Sequence, residues 1–261
     1  MRGGMKAVAV LGLIALALKA DASQNDCSAI GLEQAFPAIG KEAVAVCFLY
    51  TKTPPDYEGQ KSQNPDGIAV YSVAAAATPT NVYELPYAGT VSEINEVFVW
   101  EGVGGERLVF VLYSFVAPMP WDVIGDIYGV AVVRIEGKSA IEDAKLTRFF
   151  GFGGDLISSG GQLSYVYPYK DKAALQKVMR SELFRAVSVS EPARGKILER
   201  AALFGGEAEP DRHAPTKMYL IAGDRVSVVD STEGWCKISY LAAKKAVKWL
   251  DCKLIRFDAD E

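Results

Sequence analysis

The chain has 261 residues, half of them hydrophobic and a tenth aromatic, with 28 Lys and Arg against 32 Asp and Glu, one His and four Cys, for a formal charge of −4. That supplies a sizeable core and enough length for one large or two modest domains. An acidic surface repels phosphate backbones and no run of Lys or Arg overrides it, which argues against nucleic acid as a partner; a single His argues against the histidine-rich metal centres of secreted hydrolases.

Residues 1–22, MRGGMKAVAVLGLIALALKADA, read as a secretory signal peptide. Arg2 and Lys6 form the basic start, Ala7 to Leu18 the apolar stretch, and Ala20-Asp21-Ala22 a small-x-small cleavage pattern before Ser23. The apolar stretch is shorter than the roughly 20 residues a membrane-spanning helix needs, and no second long apolar run follows. The reading places the mature protein outside the cytoplasm, in the periplasm, without a transmembrane anchor. All four cysteines, Cys27, Cys47, Cys236 and Cys252, lie in the exported part, which favours disulfides. Three pairings are possible; proximity favours Cys27–Cys47 and Cys236–Cys252. A zinc site is disfavoured because CxxC spacing is missing.

From Ala43 onward the chain is rich in predicted strands. Ala43–Tyr50 and Ile68–Val73 flank a Pro- and Gly-bearing surface loop at 51–67, and Glu96–Trp100 with Leu108–Phe115 flank a Gly-rich hairpin turn. Ile127–Ile135 and Lys145–Phe150 continue the meander. Several of these runs are apolar at successive positions, as expected of central strands covered on both faces. Gly151-Phe152-Gly153-Gly154-Asp155 reads as a flexible connection, since no helix start follows the glycines as a phosphate loop requires. Asp171 caps a predicted helix bearing Leu175, Val178, Met179 and Leu183 on one face. Ser190 caps a second, with Ile197, Leu198, Ala201 and Ala202, stopped by Gly205. Strands followed by helices predict an α+β domain over 23–204, an antiparallel-rich sheet with two C-terminal helices. Residues 205–215, with two Gly and two Pro, read as a linker to a separately folding unit at 216–261.

That last unit alternates short strands and turns: Lys217–Ile221, Arg225–Val229, Trp235–Tyr240 and Val247–Leu250. Gly223-Asp224-x-Val226-x-Val228, Gly234-Trp235-x-Lys237-Ile238 and Trp249-Leu250 followed by Leu254-Ile255 occur in an order that resembles the bacterial Src-homology-3-like domain, a small five-stranded barrel. The resemblance covers about forty residues (217–257). Ala242–Lys248 stands where the family carries a Gly-containing turn and a Gly-Trp pair, and a Cys236–Cys252 bridge is an addition to the family pattern. The resemblance implies an attachment module that binds peptides or peptidoglycan, a role in which the family's barrel rarely performs chemistry. Trp235, Tyr240 and Trp249 are its candidate groove residues, or else they complete the core of a very small barrel.

No catalytic set assembles from the sequence. His213 sits in the predicted linker, where it is poorly placed to serve as a rigid base, and a calcium loop is missing all but Asp155 of its acids. Asp122, Asp126, Glu136 and Asp155 are the carboxylates a glycosidase pair would need, without a sign that any two converge. Trp121, between two predicted strands and directly after prolines 118 and 120, is the remaining interface candidate. The expectation is therefore an exported, non-enzymatic binding protein of the bacterial envelope, with no cofactor or metal, acting as inhibitor, immunity-type protein or adaptor on an envelope protein or peptidoglycan. The alternatives are a cell-wall hydrolase with the barrel as targeting module, and a small-ligand carrier.

Overall fold

The computed structural model describes residues 27–40, 43–51, 67–75, 77–86, 92–102, 105–118, 123–157, 160–212, 215–240 and 246–258. The signal-peptide segment, Trp121, Asp122 and His213 lie outside these.

Three antiparallel sheets follow one another along the chain. A 3-10 turn at Cys27–Ile30 leads into the first sheet, β1 (Gln34–Ile39), β2 (Val44–Thr51), β3 (Gly67–Ala74) and β4 (Thr80–Glu84), in that order. The second contains β5 (Glu93–Glu101), β6 (Arg107–Val116), β7 (Val123–Glu136), β8 (Ser139–Glu142), then α1 (Ala144–Phe150), β9 (Phe152–Ile157) and β10 (Leu163–Tyr165). Its order is β10-β9-β7-β6-β5, with β8 beside β7. Two helices follow, α2 (Lys172–Val178) and α3 (Glu182–Val189). The third sheet holds β11 (Ala193–Ile197), β12 (Ala201–Phe204), β13 (Pro215–Leu220), β14 (Arg225–Thr232), β15 (Trp235–Tyr240), β16 (Ala246–Asp251), a 3-10 turn at Cys252–Leu254, and β17 (Ile255–Phe257). Its order is β13-β12-β16-β15-β14-β11-β17.

The middle sheet is buried on both faces, as its continuous apolar runs require. Along β6, Leu108, Phe110 and Leu112 enter one core while Val109, Val111, Tyr113 and Phe115 enter another. The second of these cores is shared with Val46, Phe48 and Val70 of the first sheet. The first is shared with all three helices and the C-terminal sheet, and includes Trp235, Ile238 and Trp249. The outer face of β2 is closed by Cys27, and a disulfide joins Cys27 to Cys47 with Cα atoms 5.7 Å apart. A second joins Cys236 to Cys252 at 5.1 Å.

The α+β expectation is corrected by this architecture: the chain is predominantly β, with seventeen strands against three short helices among the described residues. Lys145–Phe150, predicted as a strand, is α1. Asp143 is its N-cap, accepting from the Leu146 amide at 3.0 Å, and Leu146, Phe149 and Phe150 recur at helical spacing on the buried side. The helix capped by Asp171 forms but stops at Val178, and Ser181 starts a second by accepting from the Phe184 amide at 3.2 Å. Ser190 is not an N-cap; at φ 62° it closes α3. The segment expected as its helix forms β11 and β12, because Ala193, Gly195 and Ile197 alternate inward with a period of two. A Cβ on Gly195 would lie 2.6 Å from the Arg256 carbonyl oxygen, so the close approach of β17 depends on glycine there. Residues 205–215, expected as a linker, connect β12 to β13, which pair with each other, and the C-terminal sheet starts at Ala193. Gly151–Asp155, expected as a loop, enters β9.

Candidate ligand-binding surface

The tip of the β14–β15 hairpin sets where the C-terminal aromatics go. Glu233 and Gly234 both have positive φ, 53° and 80°, the backbone of a tight two-residue hairpin turn. This turn enters a socket built by α1, β9 and β10. The Glu233 amide donates to the Phe149 carbonyl at 3.0 Å, and Thr232 Oγ1 donates to the Arg148 carbonyl at 2.8 Å. Tyr167 Oη lies 3.1 Å from the carbonyls of both Phe150 and Gly151. A helix C-terminus leaves its last carbonyls without partners of its own, and here they are satisfied from β10 onward in the chain. Tyr165 Oη donates to the Glu233 carbonyl, the Glu233 carboxylate pairs with Arg212, and Pro168 packs on Gly234.

This docking buries the expected binding residues. Trp235 is 6 % exposed, faces Tyr165 with ring centroids 6.0 Å apart, and meets Phe204 edge-on at 4.9 Å. Trp249 is fully buried, its Nε1 donating to the Gly206 carbonyl at 3.2 Å and the Lys237 ammonium 5.5 Å from its ring centre. Both indoles belong to the core of the C-terminal sheet and its junction with the rest. Of the carboxylates, Asp155 accepts from the Tyr167 amide at 3.1 Å and from Lys170 Nζ at 2.6 Å, so it is occupied structurally. Among the described residues no group of His, Cys, Asp and Glu is arranged to hold a metal ion, and no helix is long and apolar enough to cross a membrane.

Tyr240 shares with Trp235 a buried polar atom that has no hydrogen-bond partner among the described residues, and differs from both tryptophans in bordering a cleft. It is 9 % exposed, and its Oη is buried with no hydrogen-bond partner among the described residues. Burial raises its phenol above the ordinary range. An orphaned buried hydroxyl costs about 1–3 kcal/mol. The ring borders a cleft of about 530 Å³ whose walls include Arg194, Arg225, Ser227 and Ser239. A second cleft of about 630 Å³ adjoins it, sharing Arg194, Arg225 and Asp258 and adding Lys196, Glu182 and Glu191. Together they form an open trough along β11 and β14 that reaches Tyr240 on β15, with Leu220 and Val226 as apolar parts of its wall, in the size range of ligand sites.

A third depression, about 660 Å³, is apolar and runs between α2 and the chain end, along Val166, Pro168, Val178, Ile255 and Phe257, with Cys252 in its wall.

The trough was not legible in the sequence. Arg194 and Lys196 fall in the segment read as a helix, and Arg225 and Asp258 are remote from them along the chain. Only the period-two pattern of Ala193–Ile197, buried and exposed in turn, carried a signal. No protein-family model, curated protein or solved structure matches the chain.

Proposed function

We propose that the protein is an exported, non-catalytic binding protein of the bacterial envelope, that its C-terminal sheet is an Src-homology-3-like attachment module, and that it engages peptidoglycan or an envelope protein through this trough. The module reading draws support from the neighbour order β17-β11-β14-β15-β16, five consecutive strands to which the β12–β13 hairpin is added beside β16. Export is supported by the leader-like segment at 1–22 and by two disulfides in the region that follows. The observation that carries the binding role is Tyr240: a buried hydroxyl left without a partner beside an open cleft lined by two arginines and two serines. A polar ligand group that reaches it gains a hydrogen bond that no described residue supplies.

The experiment is retention of the intact protein on purified peptidoglycan and on immobilised envelope proteins. Tyr240→Phe should weaken retention severalfold while leaving the thermal midpoint equal to or above that of wild type, since the hydroxyl removed is buried and unbonded. Hydrolysis of peptidoglycan by the protein, or unchanged retention in Tyr240→Phe, would contradict the proposal.

A further inference from the structure

Three basic residues stand side by side across the edge of the C-terminal sheet. Lys196 on β11 is in register with Arg225 on β14 at one side and with Arg256 on β17 at the other. Directly paired residues of an antiparallel sheet point to the same face, so the three form a row. Neighbouring strands are about 5 Å apart, which gives the row a span of about 10 Å. Arg194, two residues before Lys196, adds a fourth cation on that face. Arg194, Arg225 and Arg256 are exposed and Lys196 is half-buried. None of the four side chains makes a hydrogen bond or ion pair among the described residues, although Asp224 and Asp258 line the trough with Arg194, Lys196 and Arg225; Arg256 extends the row beyond its wall.

Like charges directly opposite across a sheet are destabilising. Here the arrangement occurs twice in succession, in a chain whose formal charge is −4. A local rule broken with no compensating contact among the described residues is a mark of a functional site.

We infer that this cation row binds an acidic glycan, a hydroxyl-rich polymer carrying carboxylates or phosphates, laid along the trough. The inference rests on the binding-protein reading and names its ligand class. Three features select a glycan over other anions. Sugar units repeat on the same scale as the interstrand spacing, so successive charged units meet successive cations. An extended acidic peptide places same-side residues about 6.6–6.8 Å apart, which does not match the row. The walls also carry Ser227, Ser239 and the side chain of Tyr240, whose unpartnered hydroxyl is buried, together with Glu182, Glu191, Asp224 and Asp258. Carboxylates at those positions accept from sugar hydroxyls but repel the continuous negative plane of a membrane.

The test is calorimetric titration of the intact protein with polygalacturonate, which carries one carboxylate per sugar unit. Neutral dextran, polyglutamate and phosphatidylglycerol vesicles form the comparison arms. The expected result is binding to polygalacturonate alone, weakening as salt rises. It should fall by about tenfold or more when Arg194, Lys196, Arg225 and Arg256 are all changed to Gln. Lys196→Gln alone should weaken binding and leave the thermal midpoint equal or higher, because it removes the charge common to both repulsions. Tighter binding to polyglutamate or to the vesicles, undiminished binding by the four-fold variant, or a lower midpoint in Lys196→Gln would overturn the inference. Failure to bind polygalacturonate, with retention on peptidoglycan intact, would overturn the ligand class and leave the binding-protein reading standing.

Discussion

Tyr165 and Trp235 lie face to face, ring centroids 6.0 Å apart and planes 27° from parallel, although seventy residues of chain separate them. Tyr165 ends the last strand of the middle sheet and Trp235 begins the central strand of the C-terminal sheet. The same tyrosine donates to the Glu233 carbonyl, so one side chain fixes both the ring and the turn before it. Trp235→Ala should therefore destabilise the whole chain by about 3–5 kcal/mol, the cost of emptying a large core site. Urea denaturation measures this. A loss below about 1 kcal/mol would mean that the indole is dispensable to the fold.

Glu233 holds the turn electrostatically as well as sterically. Its carboxylate is paired with Arg212, whose guanidinium lies 5.5 Å from the Tyr165 ring centre. Burial lowers the Arg212 pKa, and removing the partner leaves a partly buried cation uncompensated. Glu233→Gln keeps the size of the side chain and should cost about 1–3 kcal/mol. Glu233→Gly, which relaxes the φ of 53° but also loses the pair, should recover little of that. Full recovery in the glycine variant would show that backbone strain, not the ion pair, governs this turn.

Glu142 gives a pH signature. Burial raises its pKa, an effect partly opposed by the Thr147 hydrogen bond and reinforced by the charge of Asp143. With the folded value above the unfolded one, the folded state holds more protons in between, so this group favours folding increasingly as pH falls through that window. Glu142→Gln should be more stable than wild type at neutral pH. The difference should shrink as pH drops through the folded pKa and vanish below the unfolded one. Chemical denaturation of both proteins across that range checks the sign; a difference that grows on acidification would reverse it.

The two bridges close loops at opposite ends of the chain, with sequence separations of 20 and 16. In the chain-entropy model each stabilises by about 3 kcal/mol. Intact mass should rise by two hydrogens per bridge on reduction, and the unreduced folded protein should have no thiol that reacts. Reduction should also lower the denaturation midpoint. A reactive cysteine before reduction would remove one of the bridges.

Strands whose apolar residues alternate or run continuously could be read directly: β2, β3, β5, β6, β7, β14 and β15 all fall where hydrophobic patterning put them. The helical segments were less legible. The Phe149-Phe150 pair and the β-tolerant Lys-Leu-Thr before it look like a strand until Asp143 is recognised as a cap. β9, with two glycines, and β11, with one, read as loop and helix, because glycines that permit close approach of a neighbouring strand or ring carry no local signal. Gly195 beside β17 and Gly153 against the Tyr167 ring are both of this kind. The cation row was hidden for a related reason. Its members at 194, 196, 225 and 256 come from three strands, and register alone brings them together.

In the proposed reading the C-terminal sheet divides its labour, with the indoles of Trp235 and Trp249 in the core and ligand contact at the cation row. Arginine-modification footprinting of the intact protein, with and without solubilised peptidoglycan, reads this most directly. Arg194, Arg225 and Arg256 should lose reactivity when ligand is present, while the exposed Arg107 on β6 and Arg180 between α2 and α3 stay reactive. Equal reactivity of all five in the two states, under conditions where the protein is retained on peptidoglycan, would contradict it.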